Sequence, residues 1–241
     1  MIERIRVVDI DTTSENGPRI LRIHTRKNVI ETPCRMITST ENKFKKDLAL
    51  SPLDERAELE TALFERVYTP RLKTILDLRR VNGVLNRLKR SINNSIRGFG
   101  DSISFLNLRF KKGKEPSNLR DVESLIHLQC RTNLDLVSIP DLSYIHEKKN
   151  FEFYIRGYRK YVEDLSGKET VPILDMNNPI DVFKTKIETV IENGFNMAVL
   201  RCRSFDEYYA NYSFLKDTKR EEEIWFHMVD SWRASPNPNA R

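Results

Sequence analysis

The chain has 241 residues, of which 39% are hydrophobic and 32% charged, and its net charge is +6. That length and composition allow a substantial buried core and exclude disorder throughout. No window approaches the 18 consecutive apolar residues of a membrane-spanning helix, and the N-terminus lacks the apolar run of a secretory signal. We therefore expect one cytoplasmic domain over residues 1–241, whose three widely spaced cysteines stay reduced.

The first part of the chain predicts a β-hairpin over residues 1–34. Residues 2–10 and 19–25 alternate between polar and apolar side chains, and Asn16-Gly17-Pro18 marks a turn between them. The segment that follows, residues 29–38, is extended and ends in the first core strand.

A helical insertion is predicted over residues 52–99. Ser51 and Pro52 are typical of a helix start, and the first predicted helix runs past Val67. Apolar residues three, four or seven apart then indicate a long amphipathic helix that Gly83 bends or breaks.

Strands and helices alternate over residues 101–230. Apolar runs predict strands at 103–110, 134–140, 171–176, 197–202 and 224–229, and helices are predicted at 119–131, 151–165, 179–194 and 205–217. Such alternation indicates right-handed crossovers and a parallel sheet. With the strand at 35–38 this gives six core strands, whereas a closed (β/α)₈ barrel has eight. The expected class is α/β with TIM-barrel-like repeats, forming an incomplete barrel or an open sheet.

Polar residues near the ends of these strands form the candidate site, because α/β folds bind ligands at the carboxyl ends of their strands. The candidate catalytic residues are Asp175, Asp141 and His227. The candidate substrate-binding residues are Asn107, Arg109, Asn177, Arg201, Arg203 and Asp230. An alternative is that the segment after Asp175 caps the next helix, which accounts better for Asn178 than for Asp175.

A basic stretch runs from Arg66 to Lys114, with thirteen cationic and two acidic residues. Such charge asymmetry indicates a polyanion partner, although a solvated helix face would show the same pattern. The candidate nucleic-acid-binding residues are Arg79, Arg80, Arg87, Lys89, Arg90, Arg97, Lys111 and Lys112.

Neither a metal nor a cofactor is expected. The four histidines form no HxH or HExxH motif, and the cysteines form no CxxC pair. The glycine-rich phosphate-binding motifs are also missing from the sequence. A sheet with an open edge would need cover, so we expect a homodimer or a partner subunit.

Residues 19–41, RILRIHTRKNVIETPCRMITSTE, resemble the opening of the tRNA-guanine transglycosylases, the queuine and archaeosine tRNA-ribosyltransferases. Glu31-Thr32-Pro33 matches the segment through which that family enters its (β/α)₈ barrel. The resemblance implies exchange of a guanine base in tRNA through a nucleophilic aspartate. The family's Asp-Ser-Gly segment and C-terminal Cys/His zinc site have no counterpart here, so no catalytic residue is transferred by motif.

Three functions remain open at this point. The first is base exchange on, or binding of, tRNA or DNA by a glycosyltransferase related to tRNA modification enzymes. The second is a non-catalytic nucleic-acid-binding or assembly module. The third is a small-molecule barrel enzyme whose arginines bind an anionic substrate.

Overall fold

The computed structural model describes residues 2–10, 19–31, 36–38, 63–97, 102–110, 115–116, 118–202, 209–218 and 223–229. The strands in these ranges are β1 (Ile2–Ile10), β2 (Arg19–Thr25), β3 (Val29–Glu31), β4 (Met36–Thr38), β5 (Leu63–Tyr68), β6 (Ile103–Leu108), β7 (Leu136–Ile139), β8 (Glu169–Asp175), β9 (Met197–Arg201) and β10 (Trp225–Val229). The helices are α1 (Leu72–Arg80), α2 (Asn82–Ile96), α3 (Leu119–Cys130), α4 (Lys148–Ser166), α5 (Ile180–Glu192) and α6 (Tyr209–Thr218).

The first three strands form an antiparallel N-terminal sheet in the order β1-β2-β3. Ile5 of β1 lies opposite Ile23 of β2, which in turn lies opposite Ile30 of β3. These three isoleucines are buried, so the alternation in the sequence places one apolar face toward the core. The predicted hairpin is confirmed for the described residues, with β3 added as a third strand.

The remaining strands are parallel and follow one another in chain order. One sheet has the order β4-β5-β6 and the other β10-β9-β8-β7. β6 and β7 lie side by side where the sheets meet, because the Asp135 amide donates to the Ser104 carbonyl at 3.0 Å and the Ser138 hydroxyl donates to the Leu106 carbonyl. The predicted α/β class with parallel strands is confirmed.

The predicted helix through Val67 was wrong where it overlaps β5, which pairs in parallel with β4 and β6. Leu63, Phe64 and Val67 have helical spacing, and charged side chains hide the alternation of a strand. In β5, Phe64 and Arg66 face α2, whereas Glu65 faces the opposite side of the sheet. The predicted helix start at residues 51–52 lies outside the described residues.

The long basic helix predicted over residues 72–99 is two helices. The chain is extended at Val81, whose φ is −129°, between α1 and α2. Gly83 therefore lies inside the first turn of α2 and does not make the break. The predicted helices and strands from residue 103 onward are confirmed, with boundaries that move by up to three residues where both positions are described. Residues 205–208 of the last predicted helix lie outside the described residues.

Both faces of the parallel sheets are buried, which explains their nearly continuous apolar runs. On the helix-covered face, β7–β10 pack against α3–α6, and β5 and β6 pack against α1–α3. On the other face, apolar side chains of β6–β10 pack against the N-terminal sheet. Phe105, Ile173 and Val199 contribute to this inner layer together with Ile23.

Polar contacts fasten the N-terminal sheet to the amino-terminal ends of the parallel strands. The Ile2 amide donates to Glu169 Oε2 at 2.8 Å, at the start of β8. Lys27 Nζ donates to Asp135 Oδ2 at 2.9 Å and to the Ser102 carbonyl at 3.0 Å. These contacts lie at the end of the parallel strands that is opposite to their carboxyl-terminal ends.

Among the described helices, none has the length and apolar character needed to cross a lipid bilayer.

Candidate functional site

A group of polar side chains from four strands meets at the carboxyl ends of the parallel strands. We call Glu65, Asn107, Arg109, Asp175 and Arg201 the strand-end cluster. They belong to β5, β6, the residue after β6, β8 and β9, respectively. The sequence predicted four of these five residues as site residues, and the structure brings those four together.

Arg201 lies at the centre of the strand-end cluster. Its Nη2 donates to Asn107 Oδ1 at 3.2 Å and to the Leu108 carbonyl oxygen, both at the end of β6. Its Nη1 lies 3.9 Å from Asp175 Oδ2, the carboxylate that ends β8. Asp175 and Arg201 are also partners in the strand register, so the sheet itself sets this ion pair.

Glu65 is the buried acidic residue of the strand-end cluster. It accepts a hydrogen bond from Asn107 Nδ2, and its Oε1 lies 3.8 Å from Arg109 Nη2. The Glu65 side chain is 2% exposed, so its charge is balanced by these neighbours rather than by water. Sequence reasoning missed Glu65 because it assigned this segment to a helix.

Asp175 differs from Glu65 in its access to solvent. Its side chain is 24% exposed. Oδ1 accepts a hydrogen bond from the Asn177 amide at 3.0 Å, and Oδ2 faces Arg201. The Asn177 side chain itself is exposed, so in the described structure this predicted residue contributes its backbone to the site.

Asp141 lies next to the strand-end cluster but is fully enclosed. Oδ1 accepts from Lys186 Nζ at 2.6 Å, and Oδ2 accepts from the Asp175 amide at 2.9 Å and from Asn178 Nδ2 at 2.8 Å. The side chains of Asp141 and Lys186 are 3% and 0% exposed. The predicted catalytic role of Asp141 stays a prediction.

Asn178 does not have the role expected from the sequence, and Lys186 was not identified from the sequence as a site residue. Asn178 was expected to cap α5, but its side chain bonds Asp141 and the Asp175 carbonyl, and the residue at the helix start is Pro179. Lys186 falls on the apolar stripe of α5 between Phe183 and Val190. A lysine on such a stripe is a signal that could have identified a buried partner for a carboxylate.

His227 lies in β10 on the same face as Trp225, with the two rings edge to face at 5.6 Å. Burial lowers the pKa of His227 to about 4, because the charged imidazolium loses its hydration. The side chain is therefore neutral near pH 7 and a poor general acid there. The predicted catalytic role of His227 stays a prediction.

Two further predicted substrate-binding residues, Arg203 and Asp230, lie outside the described residues.

The basic stretch divides into internal and exposed residues. Arg66 donates to the hydroxyl groups of Ser91 and Ser95, and burial lowers its pKa. Exposed cations of α1 and α2 include Arg80, Arg87 and Arg90, and Arg97 follows directly after α2. Lys89 is half-buried, Arg79 belongs to α1 but its side chain is not described, and Lys111 and Lys112 lie outside the described residues.

Among the described residues, no group of three or more His, Cys, Asp or Glu side chains is placed to hold a metal ion. No family model matches the sequence, and no curated protein matches it.

Proposed function

We propose that the protein binds a nucleic acid and exchanges one of its bases, as the resemblance of residues 19–41 to the tRNA-guanine transglycosylases implies. The strand-end cluster would bind the base, and Asp175 would act as nucleophile or base. Support comes from the convergence of charged and amide side chains of four strands at the edge where α/β folds bind ligands.

We also propose that the parallel strands curve into an incomplete barrel. β6 and β9 are three strand spacings apart, which is roughly 14 Å across a flat sheet. An arginine side chain is shorter than that, yet Arg201 of β9 donates to Asn107 and Leu108 of β6. A strongly curved sheet accounts for this reach.

The charge balance of the strand-end cluster favours a neutral ligand. Arg109 and Arg201 face Glu65 and Asp175, so the two positive and two negative charges of these described residues cancel. A neutral heterocycle with hydrogen-bonding edges fits such a site better than an anionic small molecule, which would meet the carboxylates. This observation favours base exchange over the small-molecule alternative.

Asp175 is the best placed carboxylate for the chemistry. Solvent reaches its side chain, whereas Glu65 and Asp141 are 2% and 3% exposed. In a base exchange its oxygen would bond to the ribose C1′ while the C1′–N bond to the outgoing base breaks, and that base takes up a proton. The incoming base would then displace the carboxylate and release a proton.

Exposed cations of α2 and its C-terminal flank would hold the phosphate backbone. Residues 82–96 contain no acidic residue, and Arg87, Arg90 and Arg97 are exposed. We expect tRNA to be retained at low salt and released as salt rises. Substitution of these three arginines by glutamine should make the slope of log affinity against log salt shallower by roughly 2 to 3.

The matched control replaces three exposed cations of α4, Lys149, Arg156 and Lys160, by glutamine, and should change the slope less. Retention can be measured by filter binding across a salt series. If the unaltered protein does not retain tRNA even at low salt, the proposed function is wrong.

The chemical step is tested by incorporation of labelled guanine into tRNA. Asp175→Asn should lower the exchange rate on the order of 10³-fold, because the amide is neither a nucleophile nor a base, while tRNA retention stays the same. Asp181→Asn, at an exposed carboxylate in the first turn of α5, is the control and should keep full activity. Retention of tRNA without exchange in the unaltered protein would instead support the non-catalytic binding module.

A further inference from the structure

A fully buried ion pair lies directly behind the turn that carries Asp175. Lys186 of α5 reaches Asp141, two residues after β7, with a 2.6 Å bond between Nζ and Oδ1. The Lys186 ammonium also lies 5.4 Å from the centre of the Phe151 ring. Since both charged groups are shielded from water, each depends on the other, and the pair fixes where Asp141 Oδ2 points.

Asp141 Oδ2 accepts the hydrogen bond that a backbone carbonyl of β7 would accept from β8 if β7 were longer. The Met176 amide bonds the Arg201 carbonyl of β9 at 3.0 Å, and neighbouring residues of a strand direct their amides to opposite sides. The Asp175 amide therefore points toward the β7 side, past Ile139, where β7 ends. There it donates to Asp141 Oδ2 at 2.9 Å.

The same oxygen also holds the far end of the turn. Asn178 Nδ2 donates to Asp141 Oδ2 at 2.8 Å and to the Asp175 carbonyl at 2.7 Å. The Asp175 amide is thus bonded directly to this oxygen. The Asp175 carbonyl accepts from Asn178, both from the side chain that this oxygen holds and from the backbone amide at 3.2 Å. This leaves the Asp175 carboxylate directed toward Arg201.

We propose that Asp141, held by Lys186, is a positioning residue that orients Asp175 for its reaction. This inference rests on the proposed function for the catalytic role of Asp175, but the orientation itself does not. A small displacement of a reacting group can cost on the order of 10²-fold in rate, which sets the size of the expected effect.

Two double variants isolate the positioning contact. Asp141→Asn with Lys186→Met removes both charges but keeps an oxygen that can accept from the Asp175 amide. Asp141→Ala with Lys186→Met removes both charges and the acceptor. Replacing a buried ion pair by neutral groups leaves no isolated charge in the core. The two variants therefore carry the same charge and differ in the hydrogen-bond acceptor at position 141.

Amide hydrogen exchange of the full chain gives the first readout. In the alanine variant, exchange at Asp175 should become at least about tenfold faster, while Met176, which is bonded to β9, keeps its protection. In the asparagine variant both amides should exchange as in the unaltered protein. Equal exchange at Asp175 in the two variants would overturn the proposal.

Loss of protection at both Asp175 and Met176, or failure of the alanine variant alone to fold, would also overturn it, since either result means that Asp141 supports the fold in general.

Guanine exchange into tRNA gives the second readout. The alanine variant should lose about 10²-fold in kcat with KM changed less than about threefold, and the asparagine variant should recover most of that loss. If the unaltered protein shows no exchange, the proposed function fails while the amide measurement still decides the positioning. Full activity in the alanine variant would show that Asp141 does not act through Asp175.

Discussion

Two aspartates at the ends of neighbouring strands have different surroundings. Asp141 accepts three hydrogen bonds in an enclosed position, whereas Asp175 keeps a carboxylate partly in contact with solvent beside Arg201. A carboxylate whose lone pairs are occupied by fixed donors is suited to hold a turn. A carboxylate that a ligand can approach is suited to chemistry.

Because His227 is buried, we expect the stability of the fold to decrease at acidic pH. Burial lowers its pKa from 6.5 to about 4, so between these values the unfolded chain binds a proton that the folded chain does not. The free energy of unfolding should therefore fall by about 3 kcal/mol from this residue alone as pH drops from 6.5 to 4. The measurement is urea unfolding at a series of pH values.

His227→Phe removes the titrating group and should flatten this part of the pH dependence. Near pH 8.5, about two units above the ordinary pKa of 6.5, neither the folded nor the unfolded imidazole is appreciably protonated, so the contribution of His227 should vanish there in the unaltered protein. An equal loss of stability toward pH 4 in the variant and the unaltered protein would show that His227 is not the cause.

Single residues of the site could be predicted where position along a strand was sufficient. Asn107, Arg109, Asp175 and Arg201 follow or end apolar runs, and α/β topology brings such positions to one edge. Glu65 could not be found in this way, because its own burial among polar groups removes the apolar alternation that marks a strand. The partners of Asp141 depend on contacts 34 to 45 residues away, which no local pattern encodes.

At the scale of elements, the backbone conformation requires a glycine at the C-terminal end of α4 but not at the glycine within the helix. Gly167 follows the last turn with a φ of 63°, and its amide bonds the Glu163 carbonyl at 2.9 Å. Gly157 lies exposed in the middle of the helix, where an added Cβ meets nothing within 4 Å. The two positions should respond oppositely to alanine.

Gly167→Ala should destabilise the protein by about 1 kcal/mol, because a side chain disfavours the left-handed conformation. Gly157→Ala should stabilise it by about 0.5 to 1 kcal/mol, because alanine is the better helix former. Chemical unfolding of both variants gives the comparison. Destabilisation by both substitutions would mean that Gly157 makes a contact outside the described residues.

Strands and helices could be predicted where a single cause, such as burial on both faces, determined the order of apolar and polar residues. Strands β6–β10 are buried on both faces, so their apolar runs identify them, and Pro179 and Gly194 bound α5 as expected. The break between α1 and α2 was not predictable from Gly83, since the extended residue is Val81. On either side of this break α1 packs against α3 and α2 bonds Arg66, contacts that no local sequence pattern encodes.

At the scale of the whole molecule, the N-terminal sheet covers the inner apolar layer. Ile23 is fully buried there among residues of β6–β10, whereas Val29 on the same sheet is 56% exposed. Ile23→Ala should reduce the free energy of unfolding by about 3 kcal/mol, through lost burial and the cavity left behind.

Val29→Ala is the matched control and should change the free energy of unfolding by less than about 0.5 kcal/mol. Urea unfolding monitored at the tryptophans would measure both, since Trp225 belongs to the same apolar layer. A small effect of Ile23→Ala would show that the sheet contributes little to the core.

The parallel direction of the strands could be predicted from their alternation with helices. Their order and the reach of Arg201 from β9 to β6 could not, because both depend on how all the strands pack together. The prediction of a homodimer or partner subunit stays a prediction.

The packing of the N-terminal sheet against β10 has a consequence for synthesis on the ribosome. Residues 2–31 are made well before Trp225 and Val229, which help to cover their apolar face. The intervening units can add one after another, because each new strand docks beside its predecessor. Until those later residues are made, the apolar face of the N-terminal sheet stays partly uncovered, and a chaperone can bind it during that time.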